Sequence, residues 1–277
     1  MIFLILAILS SSLVSIVMRI GSSKVKNNIG MLAANYMTCT LVAALYTFGQ
    51  PLFPSNVLDT TVWLGVINGV LYLASFVIFQ FNVQKNGVVL SSVFMKLGLI
   101  VPMVVSILVF KEGLGFLQTI GLVLAVSAII MINLSPESKG GKVGINLLLL
   151  LIVTGMAEMM SKIFKEVGNS DWAAQFLLYT FSIALALCLV LLLLKKQKIG
   201  AKELLFGALI GVPNFFSAKF LLRALADVPA VIAYPTTSVA TILVVSIVGV
   251  FAFSERLRKL QWAAVCFIVI ALALLNM

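Results

Sequence analysis

The chain has 277 residues, 62% of them hydrophobic and 10% charged, and its 19 Lys and Arg against 9 Asp and Glu give a net charge of +10. A soluble globular domain carries about a quarter of its residues as charges, so this composition excludes that class and requires a polytopic membrane protein. The basic residues sit in short clusters at the ends of apolar runs, as membrane topology demands, and form no stripe interleaved with aromatics of the kind that binds nucleic acid.

A helix needs about 20 apolar residues to cross the hydrocarbon core. Ten such runs are predicted in order, at approximately 2–20, 30–49, 61–81, 88–110, 114–134, 144–165, 172–194, 202–223, 229–252 and 257–276. Continuous apolar stretches without period-two alternation select helices over a barrel. The first run, opening Met1-Ile2-Phe3-Leu4, has no positive region before it and is expected to remain as a helix. The longest connections, around Gln50–Asp59 and Ser135–Val143, carry Pro51, Pro54, Pro136, Gly140 and Gly141 and leave no room for an extramembrane domain. There is no histidine, and Cys39, Cys188 and Cys266 are scattered through apolar runs. No metal site, disulfide framework or cofactor is therefore expected, and the lack of histidine and of clustered carboxylates argues against an enzyme.

One stretch is written twice. Phe110, Glu112, Leu114, Leu117 and Gln118 recur 143 residues later as Phe253, Glu255, Leu257, Leu260 and Gln261, each time at a junction between two apolar runs. The same offset places Arg19 on Lys162, Tyr36 on Tyr179 and Asn133 on Asn276; an offset of 142 places Gly65 on Gly207, Gly69 on Gly211 and Ser75 on Ser217. The chain thus reads as a duplication, residues 1–138 and 139–277. Five helices per unit make the second copy cross the membrane in the opposite sense, the inverted repeat of many secondary transporters. Counting Lys and Arg by side puts thirteen against at most five, which orients both termini outside.

These features, a basic residue ending the first helix of each unit and the Phe-x-Glu-x-Leu plus Gln junction before the fifth, resemble the drug/metabolite transporter superfamily in its ten-helix EamA branch. The resemblance covers essentially the whole chain. It implies secondary transport, usually export, of a small polar or amphipathic metabolite or drug across the cytoplasmic membrane by alternating access. It also implies a cavity lined by the first four helices of each unit, and both termini inside, the reverse of the charge count. The glutamate that smaller multidrug relatives carry in their first helix is absent, Ser11 and Thr154 standing at the matching positions. The alternatives are a lipid-linked carrier flippase and a non-transporting membrane scaffold. The expected partners are a small-molecule substrate, the lipid bilayer and protons as a candidate coupling ion, with the protein a monomer or homodimer.

Lys96 is the sharpest candidate for the substrate cavity. It lies roughly 12 Å inside the start of the fourth run, where a charge needs a wet cavity or a partner. Glu158 is the carboxylate well inside a predicted helix, with Lys162 four residues on, so that an intrahelical ion pair and a coupling role are both open; Arg19 is the matching base of the first helix. Ser11, Ser15 and Arg19 share spacing with Thr154, Glu158 and Lys162. Asn68, Tyr72 and Asn214 extend the polar faces of the third and eighth runs. In the ninth, Pro235 frees a backbone carbonyl, with Tyr234, Thr237 and Thr241 on one face; Ser92 stands at the position matching Pro235. Glu112 and Glu255 each precede a helix start, where a carboxylate is favourable.

Overall fold

The computed structural model describes residues 1–53, 60–86, 88–133, 144–253 and 259–277. Ten helical segments follow one another among them. They are α1 (Ile2–Ser22), α2 (Asn28–Tyr46), α3 (Thr60–Asn86), α4, α5 (Phe116–Asn133), α6 (Ile145–Val167), α7 (Ala173–Leu194), α8 (Ala201–Ala224), α9 (Ala230–Phe253) and α10 (Lys259–Leu275). Helix α4 runs as Val88–Lys96, a 3-10 turn over Leu97–Leu99 and Ile100–Leu108. Eight of these segments are long and apolar enough to cross a membrane, and α5 and α10 are shorter apolar helices. The 17 residues of α10 still reach about 26 Å at 1.5 Å per residue. The chain is an all-helical membrane protein. Residues 134–143, with the 138/139 boundary, and residues 254–258, with Glu255, lie outside the described residues.

Two compact units form, and each draws on both halves of the chain. Ile2–Leu73 joins Ile163–Ala224, and Ala74–Lys162 joins Leu225–Met277. In the first, called here the α2/α8 unit, α8 packs against α1 and α2, and α2 also packs on α7. Glycines make these approaches. A Cβ at Gly207 would lie 2.6 Å from the Met31 carbonyl oxygen, and one at Gly211 would lie 2.7 Å from that of Asn35. On α3, a Cβ at Gly65 would lie 2.7 Å from Tyr179 Cβ and one at Gly69 would lie 2.6 Å from the Thr180 carbonyl oxygen. Each pair is a Gly-x-x-x-Gly, which lets two helix backbones touch where lipid gives no hydrophobic reason to associate. The glycines that recur in the sequence make like contacts, α3 on α7 and α8 on α2.

In the α5/α10 unit the two short helices pack along their length. Ala125, Ala128 and Ile129 meet Ala264, Ile268, Ala271 and Leu275, with Leu99 and Met103 of α4 and Val239 of α9 closing the core. Small residues again permit the approach: a Cβ at Gly121 would lie 2.9 Å from Leu274 Cβ.

A candidate polar site on α4, α6 and α9

Pro102 has no N–H to give to the Gly98 carbonyl four residues back, and the chain just before it tightens into the 3-10 turn Leu97–Leu99. Lys96 ends the helical piece ahead of that turn. Gly98 crosses Gly155 of α6 at backbone contact. A side chain at Gly155 would strike the Gly98 carbonyl and lie 2.5 Å from Val101 Cβ, and one at Gly98 would lie 3.3 Å from Thr154 Cβ. The break in α4 thus sets Lys96 beside the face of α6 that carries Thr154, Glu158 and Lys162 at successive turns.

On that face, Thr154 Oγ1 and Glu158 Oε2 are buried without a hydrogen-bond partner among the described residues. Lys96 is exposed. Tyr234 of α9, 3% exposed, donates its hydroxyl to the Glu158 backbone carbonyl at 2.8 Å. One turn further, Lys162 donates to Glu112 Oε1 at 2.6 Å and lies 5.1 Å from the centre of the Phe110 ring. The second oxygen of Glu112 accepts the Val231 N–H at 3.0 Å. Glu112 was expected to serve the helix that follows it; it instead caps the start of α9, while α5 is capped by Gln118, which accepts the Gly115 N–H at 2.9 Å. Pro235 stands four residues after Val231, inside α9. Thr237 donates back to the Ala233 carbonyl at 2.7 Å, Thr241 Oγ1 is buried without a partner among the described residues, and Ser92 is half-buried.

The α2/α8 unit holds the other candidates among neutral groups. Asn214 donates to Asn35 Oδ1 at 3.2 Å, and the Cys39 thiol donates to the Gly211 carbonyl at 3.2 Å. Asn68 donates to Thr180 Oγ1 at 3.4 Å, leaving Asn68 Oδ1 buried without a partner among the described residues. The Tyr72 ring stands edge-on to Phe181 at 5.9 Å and 6.5 Å from Tyr36. Ser11 and Ser217 hydroxyls meet at 2.5 Å, and Arg19 is exposed near the end of α1. Tyr36 and Tyr179 match in the sequence but differ in setting. Tyr36 is packed in the core, whereas Tyr179 donates to the Leu52 carbonyl and stacks on Phe53.

Sequence reasoning missed Asn35, the Gly98–Gly155 crossing and the reach of Glu112 to Lys162. Asn35 has Leu178 at the repeat offset, so a search for matched polar residues passes over it. Chemically, the α4–α6–α9 group offers a cation for an anionic substrate group and a carboxyl for a proton or cation. Among the described residues no set of three His, Cys, Asp or Glu could hold a metal.

Comparison with known proteins adds three findings. Residues 142–277 match the model of the EamA-like transporter family. An uncharacterized protein of Haemophilus influenzae is 27% identical over 277 residues, covering 95% of this chain and 94% of that one. A solved crystal structure superposes with a TM-score of 0.71 over 99% of this chain and 94% of its own, at 15% identity, a likeness of fold.

Proposed function

Through residues 142–277 the chain belongs to the EamA-like transporter family of the drug/metabolite transporter superfamily, and on that premise we propose that it is a secondary-active transporter, working as an exporter of a small polar or amphipathic solute across the cytoplasmic membrane. The observation that carries the reading is the Glu158 carboxyl of α6, which has an oxygen buried without a partner among the described residues, on the face that the break in α4 sets beside Lys96. An ionisable group inside an apolar span is costly and is kept for substrate or ion passage. In this reading Lys96 takes an anionic group of the substrate, Glu158 takes a proton or a cationic group, and Thr154, Thr237 and Thr241 supply hydroxyls nearby. Asn68, Tyr72 and Asn214 form a second, neutral set of contacts in the α2/α8 unit.

Alternating access needs compliance where helices carry the site. The 3-10 turn before Pro102 and the carbonyl freed by Pro235 provide it in α4 and α9. The inverted repeat supports the same reading, since Gly65 and Gly69 pack α3 on α7 as Gly207 and Gly211 pack α8 on α2. Lys162, Glu112 and Val231 fix one end of the group.

The test is counterflow in proteoliposomes with labelled organic acids, amino acids and cationic compounds, with and without a pH gradient. Wild type is expected to carry a solute that Lys96→Ala transports at least about tenfold more slowly, the worth of one charge-assisted contact. Glu158→Gln is expected to uncouple flux from the gradient. Equal flux and coupling in all three proteins would remove the site from the proposal, and no flux of any solute from folded wild type would remove transport.

A further inference from the structure

One end of the α2/α8 unit is basic for a reason that the transport reading does not use. The α1–α2 loop and the α7–α8 loop are tied together there. Asn27 donates its side-chain amide to the Lys198 carbonyl at 3.2 Å, and Glu203 Oε1 accepts the backbone N–H groups of Lys26 and Asn27 at 3.0 and 3.2 Å. Lys24 reaches across to lie 5.9 Å from the centre of the Phe206 ring. These ties gather six exposed lysines, Lys24, Lys26, Lys195, Lys196, Lys198 and Lys202, onto one surface.

The single carboxylate in these two loops and the adjoining turn of α8 is Glu203. It is 7% exposed and holds backbone N–H groups. No carboxylate pairs with any of the six lysines among the described residues. Lys196 adopts a left-handed φ of 50°, a position after a helix end that glycine or asparagine fills more easily. Just inside the lysines, Leu193, Leu194 and Leu205 are 77%, 75% and 58% exposed, so the charged surface borders a face that meets acyl chains. A cluster of cations at the edge of an apolar belt is the chemistry that holds acidic lipid headgroups.

We propose that this surface is a binding site for anionic phospholipid headgroups, formed by the α1–α2 and α7–α8 loops together. Each lysine carries a worth of about fivefold in affinity for an anionic surface. Because the two loops are tied through Asn27 and Glu203, the site exists only when α1, α2 and α8 are assembled. It depends on the fold and is independent of whether or what the protein transports.

The test uses the full chain reconstituted in phosphatidylcholine vesicles containing trace spin-labelled phosphatidylglycerol or spin-labelled phosphatidylcholine, with the motionally restricted lipid read by electron paramagnetic resonance. Wild type is expected to restrict phosphatidylglycerol over phosphatidylcholine by at least about fivefold at low salt, and to lose the preference near 1 M salt, where the Debye length is about 3 Å. Replacing Lys195, Lys196, Lys198 and Lys202 by Gln should sharply reduce the preference, leaving only what Lys24 and Lys26 supply, and replacing them by Arg should keep it. Lys219→Gln with Arg223→Gln, at the other end of α8, should leave it unchanged. Equal restriction of both lipids by wild type, or a preference left unreduced in the folded Gln variant, overturns the proposal. So does a preference abolished by inorganic phosphate at constant ionic strength, which would mark a site for the free anion. If the fourfold Gln variant does not fold, Lys198→Gln alone is expected to reduce the preference, and an unchanged ratio overturns the proposal equally.

Discussion

In the α2/α8 unit the hydrogen bonds that join side chains of different spans link neutral groups, Asn214 on Asn35, Asn68 on Thr180 and Ser11 on Ser217, and a cation such as Lys219 lies over an aromatic ring, that of Tyr46. In the α5/α10 unit the spans carry Lys96, Glu158 and Lys162, and Glu112 reaches in from a loop to hold the last of these. Neutral pairs of this kind fix helix against helix at little desolvation cost. Charges behave otherwise. Lys162 and Glu112 are fully engaged with each other, with Phe110 and with Val231 N–H, whereas Glu158 keeps an oxygen buried without a partner. The contrast teaches that both units are assembled by close helix approach at glycines, but that one joins its spans through neutral amide and hydroxyl pairs while the other joins them through an ion pair and carries a buried carboxyl oxygen without a partner among the described residues.

The sharpest way to break this contrast is Lys162→Met. It strands the Glu112 carboxylate beside Val231 and should cost about 3–5 kcal/mol of stability, read by thermal unfolding in detergent, with the added change Glu112→Gln recovering part of the loss. Next in size is Gly207→Ala, whose methyl would meet the Met31 carbonyl. A loss of about 1–3 kcal/mol is expected, against no more than about 0.5 kcal/mol for Gly113→Ala, where nothing lies within 4 Å. Asn214→Ala should lower stability by about 1 kcal/mol through its lost bond to Asn35. Tyr234→Phe should cost about 0.5–1 kcal/mol in the same melting experiment, since the ring stays packed and one hydrogen bond to the Glu158 carbonyl is lost. If Asn214→Ala proved costlier than Lys162→Met, the division between neutral pairs in one unit and an ion pair in the other would fall.

The helices were legible in the sequence because lipid forces each apolar run to satisfy its own backbone. The ten expected runs and the ten observed segments differ by a few residues, the largest difference being α3, which continues to Asn86 rather than ending near 81. The 3-10 turn in α4 was not anticipated, although Pro102 carried its cause. Lys96 and Glu158 stand out in the sequence because a charge in an apolar run needs explaining wherever it occurs. What the sequence could not supply was partners. Glu112 and Lys162 are 50 residues apart, and the local spacing of Glu158 and Lys162, four residues apart on one helix, points to the other pairing. Gly65, Gly69, Gly207 and Gly211 announced themselves by recurring, but only the structure names the helices they touch.

The interleaving of the two halves bears on how the protein is made. Helix α2 ends at Tyr46 and its partner α8 begins at Ala201; α5 ends at Asn133 and α10 begins at Lys259. At a ribosomal rate of about 5–20 residues per second, α2 waits about 10–30 seconds in the bilayer for its partner. During that interval the face of α2 that will be covered, from Ile29 to Tyr36, is open to whatever else the insertion machinery is delivering. A ribosome that stops after α5 leaves helices for which neither unit can close: the first helices wait for α8, and α4 and α5 wait for α9 and α10, so both units become complete only in the second half of synthesis.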